Sequence, residues 1–132
     1  MAAQTPRERR DAMRPINNLD LVNQICDASI TLRESRRVHI RRFGTLVPHV
    51  FMADVLARIG VCLSFGMSRA LCDHREEVQG ILDILELGMA KGDRETRNVI
   101  AMSFVHDGQH EMFFDDLLPL LGARLKAQQV AR

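Results

Sequence analysis

The fold is decided by residues 76–106, which read EEVQGILDILELGMAKGDRETRNVIAMSFVH. Over the first half of this stretch, apolar residues recur every three or four positions, and polar residues fall on the opposite side of the same helix. The stretch therefore predicts an amphipathic helix with an acidic outer face. Its buried face consists of Val78, Ile81, Leu82, Leu85 and Met89, and its outer face of Glu76, Gln79, Asp83 and Glu86.

A second helix is predicted after a short turn. Lys91 places a cation at the end of the first helix, Gly92 is free to adopt the left-handed conformation that ends many helices, and Asp93 can cap the next helix. Residues 99–105 are apolar in nearly every direction, which indicates a helix in the middle of a bundle. The two helices are therefore expected to form a hairpin at the centre of the domain.

The hairpin also carries a pattern typical of helical repeats. An acid in the turn, an arginine four residues later and an alanine four residues beyond that are similar to the junction of a HEAT-type repeat, here Asp93, Arg97 and Ala101. No second copy follows at the period of such repeats. We therefore predict one HEAT-like hairpin inside a compact domain and not an array.

Upstream of the hairpin, Asn17 or Asn18 can cap a first helix that ends near Arg36 or Gly44. No alternation of apolar and polar residues is long enough to predict a strand. The predicted class is therefore all-α, with a compact bundle of five to six helices.

The other helices are placed by proline, glycine and polar residues. A helix is predicted over 48–65, with a proline in its first turn. Residues 66–74 are predicted to be a linker, in which Asp73 can cap the helix that follows. Downstream of the hairpin, a short helix over 111–118 leads into a final helix over 119–125, which also starts with a proline.

The bulk composition indicates one domain. At 132 residues the chain is long enough to bury a core without disulfides or metal. Residues 1–17 are rich in arginine and contain two prolines, so they are predicted to be a flexible arm, and residues 18–132 a single helical domain. The three cysteines form no CxxC pair, and no apolar run is long enough for a signal peptide or a membrane span. These features predict a cytoplasmic protein without membrane contact.

No constellation of residues predicts catalysis. His106 and His110 are four residues apart with Glu111 beside them, but no cysteine or third histidine is near in sequence, and Asp107-Gly108 is expected to break the helix between them. No serine has a GxSxG elbow, and no glycine-rich phosphate loop or paired-carboxylate motif occurs. We therefore predict a non-enzymatic protein without a metal or cofactor.

Charge is distributed unevenly and predicts two candidate surfaces. Residues 1–48 carry nine arginines against five acidic residues, whereas residues 49–122 carry six basic residues against twelve acidic ones. Complementary charge mainly raises the association rate and the selectivity of a protein for its partner. The predicted protein-binding residues are the acidic set Glu76, Glu77, Asp83, Glu86, Asp115 and Asp116. An alternative nucleic-acid surface would use the basic set Arg33, Arg36, Arg37, Arg41 and Arg42.

Nucleic acid is the less favoured partner. The chain has no Trp or Tyr, and its formal net charge is only +1. Single-stranded nucleic acids are usually held by aromatic stacking along a strongly basic groove. A nucleic-acid regulator that uses the arginines therefore ranks below a protein-binding role.

Three segments resemble a bacterial family of small helical proteins classed as a domain of unknown function: LVPHVFMADVL at 46–56, ILDILELGMAKGDRETRNVIAMSFV at 81–105 and LLPLLGARLK at 117–126. The matching features are a Pro-His pair near a helix start, the hairpin turn with its buried helix, and the closing LLPLLG. These features are structural, so no catalytic residue is carried over. The resemblance implies an immunity protein for a secreted antibacterial toxin, which it would neutralise by occluding the active site. A helical adaptor in a larger complex is a further alternative.

Overall fold

A computed structural model of the chain describes residues 14–65 and 72–130. Regular structure in these two ranges is helical apart from one isolated bridge, which confirms the predicted all-α bundle. The α-helices are α1 (Asn18–Ala28), α2 (Ile30–Phe43), α3 (Pro48–Phe65), α4 (Cys72–Lys91), α5 (Arg94–Val99), α6 (Phe114–Leu117) and α7 (Ala123–Lys126). A π-helical segment (Ile100–His106) continues α5, and a 3-10 turn (Leu118–Leu120) follows α6.

The core is one continuous apolar cluster to which α1, α3, α4 and the π-helical segment contribute most. The predicted inner face of α4 is buried as expected, with Met89 partly buried at its end. The helix after the turn is not buried all round, because Met102 is 46% exposed. The largest fully buried side chains include Leu21 and Ile25 of α1, Phe51 and Ile59 of α3, Leu82 and Leu85 of α4, and Ile100 and Phe104 of the π-helical segment.

The first predicted helix is interrupted at Ser29, which separates α1 from α2. Asn17 caps α1 in a reciprocal capping box with Asp20, as one of the two asparagines was predicted to do. Ser29 is extended (φ −143°, ψ 112°), and its hydroxyl oxygen accepts the Leu32 N–H at 3.2 Å, which caps α2. Gly44 ends α2 in the left-handed conformation, with φ of 77°.

Gly92 ends α4 without adopting the left-handed conformation, so that part of the prediction is wrong. The difference is explained by Ile16, which precedes α1 in the sequence and lies beside this turn in the fold. The Ile16 N–H donates to the Lys91 carbonyl at 2.9 Å, and the Asp93 N–H donates to the Ile16 carbonyl at 2.8 Å. Ile16 of the predicted arm therefore binds the hairpin turn through its backbone, and residues 1–13 of that arm lie outside the described residues.

The turn between α4 and α5 otherwise follows the predicted design. The Asp93 carboxylate accepts the Thr96 N–H at 2.7 Å and so caps α5, and Glu95 lies in the first turn. The π-helical segment that continues α5 was not predicted, since its apolar sequence is equally compatible with an α-helix. Residues 107–108 are still helical, so the prediction that Asp107-Gly108 breaks the helix is wrong.

Other predicted boundaries shift by a few residues. α4 begins at Cys72, so Asp73 lies inside the helix and cannot be its cap, and residues 66–71 of the predicted linker lie outside the described residues. The helix predicted over 111–118 begins only at Phe114, and α7 begins at Ala123 after the 3-10 turn. Within the described ranges, no helix combines the length and the apolar character that a membrane crossing requires.

Candidate partner-binding surfaces

The acidic set predicted to bind a protein partner is divided by the fold. Glu76 and Asp83 are exposed on α4, and Asp115 and Asp116 are exposed on α6. Asp83 accepts a hydrogen bond from the Gln79 amide at 2.8 Å on the same helix face, which leaves its charge facing solvent. These four carboxylates are available to a partner, and their role in binding stays a prediction.

Glu86 is turned towards α7. Its carboxylate accepts the backbone N–H of Arg124 at 2.8 Å and that of Leu125 at 3.1 Å. Gly122 comes so close that a Cβ atom placed there would lie 2.6 Å from the Glu86 carboxyl carbon. Glu86 therefore caps a distant helix, a role that its position in the acidic stripe did not reveal.

Glu77 is also held inside the protein. Its two oxygens accept hydrogen bonds from Arg58 Nε and Nη2 of α3, at 2.7 and 2.9 Å, and the Ser29 hydroxyl donates to it at 2.8 Å. The hydrogen bonds from Arg58 lower the pKa of Glu77 below its ordinary value, in spite of the opposing effect of burial. Glu77 therefore joins α3 and α4 to the break between α1 and α2.

Charge changes at Asp83 and Glu86 are expected to have unequal effects on stability. Glu86→Gln should lower the free energy of unfolding by about 1–2 kcal/mol, because it weakens a helix cap. Asp83→Asn, the matched control one helical turn earlier, should change it by less than about 0.5 kcal/mol, since its carboxylate faces solvent. Urea denaturation of both variants measures the difference, and equal losses would contradict the capping role of Glu86.

The basic set forms an exposed row on α2. Arg33, Arg37 and Arg41 are exposed at intervals of four residues, and Arg37 pairs with Glu34 at 3.2 Å. Arg36 donates instead to the Asn23 side chain at 2.7 Å. The Arg42 guanidinium lies over the Phe43 ring, 5.3 Å from its centroid. Four of the five predicted arginines are thus exposed to a negatively charged partner, namely Arg33, Arg37, Arg41 and Arg42.

Sequence reasoning missed an apolar groove between α2 and α3. The groove has a volume of about 600 Å³. Its walls carry large apolar side chains that are unusually exposed: Ile30 is 80%, Val38 54%, Phe43 43% and Val50 42% exposed. The sequence does carry one sign of this groove: the apolar residues Val38 and Phe43 lie among the arginines of α2. Exposed apolar side chains gathered around one groove make it a candidate site of contact with another molecule.

The floor of the groove is held by His39. This side chain is buried, and its Nε2 accepts the Val47 N–H at 2.9 Å. Its ring contacts those of Phe43 and Phe51, with centroids 4.8 and 5.9 Å away. The contacts fix α2 against the start of α3, so the groove is a preformed feature of the fold.

Two carboxylates line this groove, and they differ in their partners. Glu34 of α2 is exposed and pairs with Arg37. Asp54 of α3 is half-buried, and within the two described ranges no hydrogen bond or ion pair reaches its side chain. A carboxylate that is partly removed from water and has no partner is costly to cover further. The groove thus offers an apolar contact together with the Asp54 carboxylate, for which no residue of the described ranges is a partner.

The histidines do not form a metal site in the part of the chain that the structure describes. His106 Nε2 donates to the Gln128 carbonyl at 2.8 Å, while His110 is exposed in the turn that follows. No group of three or more metal-ligating side chains comes together within these ranges. His106 therefore joins the π-helical segment to the chain after α7, whereas the side chain of His110 faces solvent.

The remaining candidates for reactive side chains are a histidine–serine pair and two cysteines. His49 Nδ1 and Ser103 Oγ lie 2.5 Å apart and share a hydrogen bond, with His49 exposed and Ser103 buried. Burial raises the pKa of the Cys26 and Cys62 thiols above their ordinary values, which favours the unreactive protonated form. The side chain of the third cysteine lies outside the described residues.

Comparison with known proteins yields no match: no family model fits the sequence, and no curated protein and no solved structure is similar to it. The resemblance to a family of presumed immunity proteins therefore stays a prediction. The features that bear on function are the exposed carboxylates of α4 and α6, the arginines of α2 and the groove between α2 and α3.

Proposed function

We propose that the protein is a non-enzymatic binding protein that acts on another protein in the cytoplasm. The single observation that supports a protein partner best is the groove between α2 and α3. Its exposed apolar walls favour contact with an ordered apolar surface, which nucleic acid does not present along its phosphate backbone. The chain would act through occupancy of a partner's surface and not through chemistry of its own.

The partner that we propose is a toxin, whose active site the protein occludes. This part of the proposal follows from the resemblance of residues 46–56, 81–105 and 117–126 to presumed immunity proteins. The exposed carboxylates on α4 and α6 support it further, since they suit electrostatic steering of a basic partner. The helical adaptor remains an alternative that needs the same groove but no toxic partner.

Affinity capture tests the proposal. The tagged full-length protein is incubated with nuclease-treated lysate of the cells that produce it, and the retained proteins are identified by mass spectrometry. We expect one stoichiometric protein that is toxic when produced alone and harmless when produced together with this chain. A partner without toxicity would favour the adaptor.

Two variants distinguish protein binding from nucleic-acid binding. The triple variant Arg33→Ala, Arg37→Ala, Arg41→Ala removes the exposed basic row, and Val38→Glu places a charge in the groove. The proposal expects the partner to be retained by the triple variant and lost with Val38→Glu. Retained material that disappears on nuclease treatment, falls steeply with salt and depends on the three arginines would contradict it.

A further inference from the structure

We propose that the groove between α2 and α3 receives an amphipathic helix of the partner protein, and that a lysine or arginine of this helix pairs with Asp54. The inference rests on the proposed function and deepens it, because it names the segment and the charge that the partner must present.

The dimensions of the groove fit a helix. α2 and α3 supply the walls of the groove and run in roughly opposite directions: His39 in the second half of α2 contacts Phe51 at the start of α3, whereas Ser29, just before α2, and Arg58, further along α3, both bind Glu77. The 14 residues of α2 span about 21 Å, which equals the length of a partner helix of about four turns. Exposed apolar side chains lie near both ends of α2 and between them, namely Ile30, Val38 and Phe43. A helix whose apolar residues recur every three or four positions can contact all three.

The Asp54 carboxylate adds a second requirement for the partner, beyond an apolar helix face. A partner that covered Asp54 with apolar groups alone would bury a carboxylate for which no described side chain supplies a counter-charge. A basic residue within the apolar face of the partner removes this cost and fixes the register of the helix. Arg42 lies at the opposite end from Ile30, so the groove also has a direction along which the partner is oriented.

Peptide selection tests the inference even before the partner is identified. The probe is a displayed library of amphipathic helical peptides with leucines at helical spacing and randomised residues between them. The wild-type protein is expected to enrich peptides with lysine or arginine at one fixed position relative to the leucines. Asp54→Lys should enrich aspartate or glutamate at that same position, and Asp54→Asn should show no charge preference there.

Affinities of one selected peptide then give the size of the effect. Asp54→Asn should weaken its binding about tenfold, and Val38→Glu at least about 100-fold, as expected for the loss of a charge pair and of a central apolar contact. Both side chains line an open groove, and thermal denaturation checks that the variants fold. Enrichment without a charge preference, or peptides that bind Val38→Glu unchanged, would overturn the inference.

Two further outcomes are distinguishable. Concentration-dependent dimers in sedimentation equilibrium that Val38→Glu dissociates would identify a second copy as the occupant, and would overturn the inference. A toxic partner recovered by affinity capture that binds wild type, Asp54→Asn and Val38→Glu equally would also overturn it, while the proposed function would stand. If no protein partner is recovered at all, the proposed function itself fails.

Discussion

Glu77→Gln is expected to lower the free energy of unfolding by about 2–3 kcal/mol, because it leaves the Arg58 guanidinium without its counter-charge between two helices. Both side chains are largely buried, with 16% of Arg58 and 15% of Glu77 exposed, and two parallel hydrogen bonds join them. The glutamine has one acceptor oxygen in place of two, so it cannot keep all three hydrogen bonds that Glu77 accepts from Arg58 and Ser29. Urea denaturation near neutral pH measures the loss.

The exposed pair of Arg37 and Glu34 provides a matched control. It has the same chemistry, but 67% of Arg37 and 65% of Glu34 are exposed. Glu34→Gln should therefore change the free energy of unfolding by less than about 0.5 kcal/mol, since solvent screens such pairs. Equal losses in the two variants would contradict the structural role of the Arg58–Glu77 pair.

The Arg58–Glu77 pair makes the stability of the protein depend on pH. The hydrogen bonds from Arg58 hold the pKa of Glu77 below its ordinary value of 4.5 in the folded protein. The contribution of Glu77 is therefore complete above its unfolded pKa and is lost as the pH falls through the lower folded value. The difference in stability between wild type and Glu77→Gln should therefore shrink as the pH is lowered from neutral through the ordinary pKa of the carboxyl group and below it. A difference that stays constant with pH would show that folding does not lower the pKa of Glu77.

Gly92→Ala is expected to destabilise the protein by about 3 kcal/mol or more, the upper end of what overpacking costs. A Cβ atom at this position would lie only 2.2 Å from the backbone oxygen of Gly88, so the last turn of α4 must move. That movement also disturbs the hydrogen bonds by which Ile16 joins Lys91 and Asp93. Thermal and urea denaturation measure the loss.

Gly80→Ala, in the same helix, provides the control. Its Cβ would meet only the Ala28 side chain at 3.8 Å, which is an ordinary contact. Because alanine favours a helix over glycine, this variant should stabilise the protein by up to about 1 kcal/mol. The two alanine variants thus have effects of opposite sign, and a similar loss in both would show that the turn at Gly92 is not tightly packed.

Local rules predicted the elements whose cause lies within a few residues. The spacing of apolar residues gave the inner face of α4, Pro48 marked the start of α3, and the Asp93 cap follows from its position before Arg94 and Glu95. These features depend on helix geometry and capping, both of which are visible in a short window of sequence.

Contacts between distant residues could not be predicted in this way. Glu86 resembles the exposed acidic residues of α4 in every local respect, yet its carboxylate caps α7, 38 residues later in the chain. Gly92 has the sequence context of a left-handed helix end, but the backbone of Ile16 competes for the same turn. The groove arises only once α2 packs on α3, so its Asp54 carries no signal of its own in the sequence.

Binding of a protein partner in the groove between α2 and α3, as we propose, should slow the exchange of backbone amides there. Hydrogen–deuterium exchange is measured with and without the partner recovered by affinity capture. We expect slower exchange over α2 and the first turns of α3, with α4 and α6 unchanged. Slower exchange confined to α4 and α6, around Glu76, Asp83, Asp115 and Asp116, would contradict it and would place the partner on the acidic surface.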